Sequence, residues 1–386
     1  MDFSLSEDQL LIRGAVREVC ARFPGEYWRR LEAGGEYPTE FVSALTDAGW
    51  LSILIPEEYG GGGLGITEAG IVLEEIHASG GNANACHAQM YTMGALLRHG
   101  SEEQKRRYLP AIASGELRLQ AFAVTEPDAG SDSTKISTRA DRVVDHFVVN
   151  GQKVFISRVE HSDLMLLLAR TTPADRVSSR TEGLSLFLVD LRGAGDAVRA
   201  RRIPMMFNHH TYEVFISGLR VPAENLIGEE GAGFRHIIDG WNAERSLLAS
   251  EAIGDGRFFL DRASAYASER TVFGRPVGMN QGVQFPLAQA YAQVEAASLM
   301  RFKAASLFDA GRPCGAEANM AKLLAAQASF QAGNAAMQTF GGNGFAVEYD
   351  IERKFRETKL LEIAPVSNNL VLAYLGHHEL GLPRSY

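Results

Sequence analysis

The stretch Ala123-Val124-Thr125-Glu126-Pro127-Asp128-Ala129-Gly130-Ser131-Asp132 concentrates small residues, hydroxyls and carboxylates in a short span. Gly130 and its small neighbours let the backbone come close to a ligand. Thr125 and Ser131 add hydroxyls and the turn adds N–H donors, a set suited to carbonyl and diphosphate oxygens. A second candidate is Glu244, in Asn242-Ala243-Glu244-Arg245. On a helix its neighbours three, four and seven positions away are Gly240, Trp241, Leu247, Leu248 and Glu251, so no basic residue is placed to pair with it along the helix. Apolar neighbours should raise the pKa of such a carboxyl, a property that suits a proton acceptor.

Other patterns carry less. His209-His210 and His377-His378 have no third ligand in sight, and adjacent side chains on a strand point to opposite faces, so structural or surface roles are expected and no metal site. Gly60 to Gly65, GGGGLG, satisfies a dinucleotide fingerprint literally. Helices follow it with no second parallel strand nearby, so a flexible glycine connection is the better reading. Cys20, Cys86 and Cys314 lie far apart without metal or redox spacing, as expected of reduced, buried thiols.

These residues need elements to hold them. The 386 residues, 46% hydrophobic and 22% charged, can bury a sizeable core in two or three domains or layers. From 1 to 115 apolar residues recur at helical spacing: Leu10, Leu11, Ala15, Val16 and Val19 form one stripe behind a Ser6 cap. From 116 to 228 short strand-like runs dominate, among them HFVVNGQKVFIS, LMLLLAR and LSLFLVD, with Asn150-Gly151 as a turn signal. From 229 to 386 the helical period returns. The fold class is therefore α+β, mainly α, in the order helical, β, helical. The N-terminus lacks an apolar h-region and no stretch reaches the length of a membrane span, so a cytoplasmic protein without membrane insertion is expected. A net charge of −9 argues against a nucleic-acid partner.

The segment TEPDAGSD, together with MDFSLSEDQ at the start, PEEYGG at 56 to 61, Asn150-Gly151-Gln152-Lys153, Glu269-Arg270-Thr271-Val272-Phe273-Gly274 and Gln338-Thr339-Phe340-Gly341-Gly342-Asn343-Gly344, closely resembles the acyl-CoA dehydrogenases along the whole chain. The resemblance implies an N-terminal helical domain, a middle β-barrel-like domain, a C-terminal four-helix bundle, assembly as a homotetramer of paired dimers, and FAD. By the same resemblance Phe122, Val124 and Thr125 line the isoalloxazine ring, while Gly130 and Ser131 approach the diphosphate, Ser131 also on the thioester side. Phe155 and Ser157 stand where the family more often has tryptophan and threonine; Phe155 can cover a flavin face and Ser157 can hydrogen-bond N5. Arg270, Phe273, Gln281, Gln338, Gly341 and Gly342 match positions that hold the FAD of a neighbouring subunit. His209-His210 replaces an arginine-serine-threonine wording.

Such enzymes remove the α-proton of an acyl-CoA with a carboxylate as a β-hydride passes to the flavin, and an electron-transfer flavoprotein collects the electrons. At the commonest position of that carboxylate this chain has Pro365, which cannot accept a proton. A branch that includes isovaleryl-CoA dehydrogenase-like enzymes carries its base on a C-terminal helix before an arginine, and the matching residues here are Glu244 and Arg245. Glu362 is a weaker alternative, and a solvated helix glutamate remains the plain reading of Glu244. Ala364, smaller than the aromatic residue often found there, would border the acyl group. The rival functions are work on another thioester, as an enoyl-CoA reductase, a desulfinase or an acyl-carrier-protein dehydrogenase, and a flavoprotein that has lost its chemistry.

Overall fold

The computed structural model describes residues 4–385, so the first three residues of MDFSLSEDQ lie outside the described residues. Six helices come first: α1 (Glu7–Ala21), α2 (Gly25–Gly34), α3 (Thr39–Asp47), α4 (Ile66–Ala78), α5 (Ala88–His99) and α6 (Glu102–Ala113). Ser6 and Ser101 begin α1 and α6 with reciprocal capping boxes, to Gln9 and Gln104, which satisfy the first backbone donors of each helix. Eight strands follow: β1 (Leu119–Ala123), β2 (Arg139–Val143), β3 (His146–Ser157), β4 (Leu164–Arg170), β5 (Leu184–Asp190), β6 (Val198–Arg202), β7 (Thr211–Pro222) and β8 (Leu226–Ile227). Then come α7 (Gly233–Glu269), a hairpin of β9 (Thr271–Val272) and β10 (Arg275–Pro276), α8 (Gln281–Asp309), α9 (Gly315–Phe340), α10 (Ile351–Lys359) and α11 (Asn368–His378). Among the described residues no helix is long and apolar enough to cross a membrane.

Packing divides the chain into two compact units: residues 37–64 with 84–241, and residues 1–36 with 65–83 and 242–386. The first holds the sheet, ordered β6-β7-β3-β2-β4-β5-β8, with β1 parallel to β4. β4 and β5 read as continuous apolar runs because they are covered on both faces. Leu164, Leu166 and Leu168 pack with α5 and α6 residues such as Met93, Leu96 and Leu109. Met165, Leu167 and Ala169 join Phe147, Val149, Phe187 and Tyr212 on the other side.

Asn150-Gly151 is not a turn. It lies inside β3, where the register to β7 shifts between Val149 and Gly151. A Cβ on Gly151 would stand 2.3 Å from the Thr138 hydroxyl, so close approach explains the glycine better than chain reversal. The Gly60 to Gly65 run also departs from a flexible connection. The N–H groups of Gly61, Gly62 and Gly63 donate to the carbonyls of Pro56, Ser52 and Ile55, so its donors are spent on the chain and none of these three is left for a phosphate.

The second unit is built on α7, α8 and α9, whose alanines let the helices approach closely around Phe259, Ile253 and Val294. At Gly254 of α7 an added Cβ would stand 2.3 Å from the Glu74 carbonyl oxygen of α4. Next to this crossing, His77 Nδ1 lies 2.8 Å from Asp255, whose carboxylate also takes the Lys354 ammonium at 2.5 Å. Burial acts to raise the Asp255 pKa, but Lys354 and His77 hold it below the ordinary value. The three cysteines are buried and none is disulfide-bonded; burial pushes the Cys20 thiol up to about 12.

Candidate active site

The signature loop is fixed from beneath by one side chain. Glu126, buried, accepts from the Ser137 N–H (2.7 Å), the Ser137 hydroxyl (2.8 Å), the Thr138 N–H (2.9 Å) and the Lys153 ammonium (2.9 Å). Lys153, fully buried on β3, also donates to the Val124 carbonyl at 2.9 Å. Burial works to raise the Glu126 pKa, yet Lys153 and the other donors bring it down to about 2. Burial lowers Lys153 to about 8 against the pull of Glu126, so both groups are charged at neutral pH. The Val154 N–H donates to the Thr125 carbonyl at 2.9 Å, and the loop and β3 are thereby held side by side.

The expected ligand groups on and beside the loop differ in exposure. Phe122 and Val124 are half-buried on the β1 face that packs with α5 and α6, while Ala121 and Ala123 point into the opposite core. Thr125 is half-buried, and Gly130 and Ser131 are exposed. A cleft of about 630 Å³ opens beside the loop, lined in part by Pro127, Asp128, Lys135 and Arg180.

On β3 a second register shift falls between Lys153 and Ile156, and Phe155 sits there with φ of 58°. A left-handed backbone is costly for a bulky residue, and a bulge is a means of re-aiming a side chain. Here it turns the Phe155 ring outward, 59% exposed, while Ile156 enters the core and Ser157 returns to the outer side. An open aromatic face two residues from the Ser157 hydroxyl, on the strand whose Val154 N–H bonds Thr125, suits a flat heterocycle with polar edges.

The other unit carries the remaining candidates. Glu244 on α7 is buried, 6% exposed, and followed by the half-buried Arg245. Burial lowers the Arg245 pKa against the opposing charge of Glu244. Arg245 donates to the Asn242 side chain at 3.1 Å. Burial also lowers Lys322 of α9 to about 8, with Glu362 opposing and Arg245 adding to the shift. The Lys322 ammonium in turn donates to the Val366 carbonyl at 2.6 Å and to Asn368 at 2.9 Å. Glu244 and Arg245 thus belong to the same neighbourhood as the loop holding Ala364 and Pro365. In that loop Pro365 is exposed, Ala364 is half-buried and Glu362 is ion-paired with Lys359.

Arg270, Phe273, Gln281, Gln338, Gly341 and Gly342 are all exposed in this unit. The Tyr266 ring, one helical turn before Arg270, stacks on Phe340 at 4.2 Å and its hydroxyl accepts from Asn343 at 2.9 Å. The end of α7 and the end of α9 are thereby pinned together. Phe273 has φ of 53° and is fully exposed, an apolar ring held out on a strained turn.

Two features escaped the sequence reading. One is the Glu126–Lys153 pair. The other is the run His209, Thr211 and Ser157, described below, for which the two-residue spacing of His209 and Thr211 at the start of β7 was the available signal. Among the described residues no group of three or more histidine, cysteine, aspartate or glutamate side chains could hold a metal ion.

Comparison with known proteins identifies the family and the fold. Family models for the N-terminal, middle and C-terminal domains of acyl-CoA dehydrogenase match residues 6–116, 121–217 and 231–370. The chain is 38% identical to acyl-CoA dehydrogenase FadE12 of Mycobacterium tuberculosis (strain ATCC 25618 / H37Rv), over 100% of this chain and 99% of the relative. The glutaryl-CoA dehydrogenase structure in complex with glutaryl-CoA superposes with a TM-score of 0.94 at 30% identity, covering 100% of this chain and 98% of that one. The FAD complex of PigA does so with a TM-score of 0.91 at 26% identity, covering 99% and 100%. By motif, fold and full-length similarity, this chain belongs to the acyl-CoA dehydrogenase family.

Proposed function

We propose that the protein oxidises an acyl-CoA thioester to its trans-2-enoyl form, with FAD as cofactor and Glu244 as the base. FAD, when bound, supplies the hydride acceptor. Phe122, Val124, Thr125 and Phe155 would line its ring, Ser157 would meet N5, and Gly130 and Ser131 would approach the diphosphate. Glu244 takes the α-proton. The observation that carries this assignment is that Glu244 is a carboxylate buried on α7 beside Arg245, whereas the loop at the commoner base position offers an exposed proline. A carboxylate shielded from water can keep a proton affinity useful for catalysis. Ala364, small and half-buried on that loop, suits the border of the acyl chain.

The exposed set Arg270, Phe273, Gln281, Gln338, Gly341 and Gly342 supports assembly in which one copy completes the FAD site of another, as a homotetramer of paired dimers. The electron acceptor consistent with this chemistry is an electron-transfer flavoprotein. Glu244→Gln tests the reading: FAD stays bound, while flavin bleaching by a panel of acyl-CoAs under anaerobic conditions slows by at least about a hundredfold. Near-normal bleaching by that variant would remove Glu244 from the reaction.

A further inference from the structure

Ser157 ends β3 and lies directly across from Thr211, the first residue of β7, with their hydroxyl oxygens 3.3 Å apart. Thr211 is buried, and its hydroxyl lies 2.5 Å from Nδ1 of His209, which is itself buried. His210 diverges from this line, as neighbours do, and its ring meets His161 at 3.0 Å instead. Among the described residues the result is a run of three groups, from a buried imidazole through a buried hydroxyl to a half-buried one.

Burial, then the charges of Arg158, His87 and His210, hold the His209 pKa well below its ordinary value, so the ring is neutral and has one N–H and one lone pair. Each hydroxyl has one hydrogen to give. If Nδ1 carries the hydrogen, it donates to Thr211, Thr211 donates to Ser157, and Ser157 has its hydrogen left for the outer side. If Nδ1 carries the lone pair, Thr211 donates to it, Ser157 donates to Thr211, and Ser157 presents only lone pairs outward. Any mixed pattern loses a hydrogen bond in a buried place, which costs on the order of 1 kcal/mol or more.

We propose that His209 is a positioning residue which, through Thr211, sets whether the Ser157 hydroxyl offers a hydrogen or a lone pair to the flavin N5. This rests on the flavin reading above. N5 accepts a hydrogen bond in the oxidised cofactor and carries a hydrogen in the reduced one. A run that can reverse its direction therefore serves both, and a run locked in one direction favours one over the other.

The test uses the FAD-loaded protein and measures the flavin midpoint potential, with the affinities for oxidised and reduced FAD. Thr211→Val keeps the shape and breaks the run, and His209→Leu removes its end. Each is expected to change the ratio of the two affinities by about tenfold, which for a two-electron couple is about 30 mV. The two changes should not add in the double variant, since they cut the same run. His209→Asn, which restores a donor or acceptor near the Nδ1 position, should return the potential to within about twofold in that ratio. Should His209→Leu fail to fold, Thr211→Val and His209→Asn still decide the matter. Unchanged potentials in variants that hold FAD and are bleached by acyl-CoA would overturn this proposal alone. A wild-type protein that does not bind FAD would overturn the flavin reading and this proposal with it.

Discussion

Four donors converge on the Glu126 carboxylate, and the Lys153 ammonium among them carries charge. The folded pKa of Glu126, about 2, lies below its ordinary value of 4.5, so folding is favoured by its ionisation. The contribution is complete above about pH 4.5 and is lost as the pH falls toward 2. Glu126→Gln should remove this part of the acid limb in urea unfolding followed against pH. At neutral pH the same variant should lose on the order of 3 kcal/mol, because it leaves a fully buried lysine without its counter-charge. An unfolding midpoint equal to wild type would show that water replaces the pair at no cost. The wording TEPDAGSD was legible as a ligand loop because its residue types carry the chemistry. That Glu126 would meet Lys153, 27 positions on, was not, since nothing local announces which strand lies beside the loop. Likewise Phe155 and Ser157 were legible as candidate flavin contacts by resemblance, whereas the bulge that turns the Phe155 ring out depends on the register with β7.

At the level of elements, α4 and α7 cross with almost no side chain between them at Gly254, and Gly70 makes a second close approach, where a Cβ would stand 2.7 Å from the Ser250 hydroxyl. Gly254→Ala would gain about 1 kcal/mol in helix propensity. It would force the helices apart against a backbone carbonyl, at a cost of about 1 to 3 kcal/mol. A net loss of stability is expected by chemical denaturation, and a gain would mean that α4 can shift freely. The start of α1 was readable, since Ser6 signals it in local chemistry. So were β4 and β5, whose unbroken apolar runs need two covered faces. The strands β2, RADRV, and β6, VRARR, were not, because charged side chains on exposed strands erase the alternation that marks a buried face. Asn150-Gly151 misled for a related reason: the same pair suits a tight turn and a bulge, and only the neighbouring strand decides between them.

Across the whole molecule, the order helical, β, helical was visible in periodicity, while the grouping of residues 65–83 with 242–386 was not. That grouping depends on helix contacts far apart in the chain, such as Ile66 and Thr67 donating to Asp309 at 2.8 and 3.0 Å. Exposure of Arg270, Phe273, Gln281 and Gln338 in one unit makes their proposed role testable at the level of assembly. Arg270→Ala should weaken FAD binding by about tenfold, the worth of one charged hydrogen bond. It should move the unfolding free energy by no more than about 0.5 kcal/mol, as expected of an exposed residue. Fluorescence titration and sedimentation velocity, run across a dilution series, would show FAD leaving as the copies separate. FAD affinity that ignores both dilution and the substitution would remove the second copy from the site.

The buried cysteines give each compact unit a reporter of its own. Cys86 belongs to the unit with the sheet, and Cys20 and Cys314 belong to the helical one. A buried thiol is inert until its surroundings open. An alkylating reagent applied to the unmodified protein therefore records opening events as they occur, and the identity of the labelled peptide tells which half of the chain has breathed.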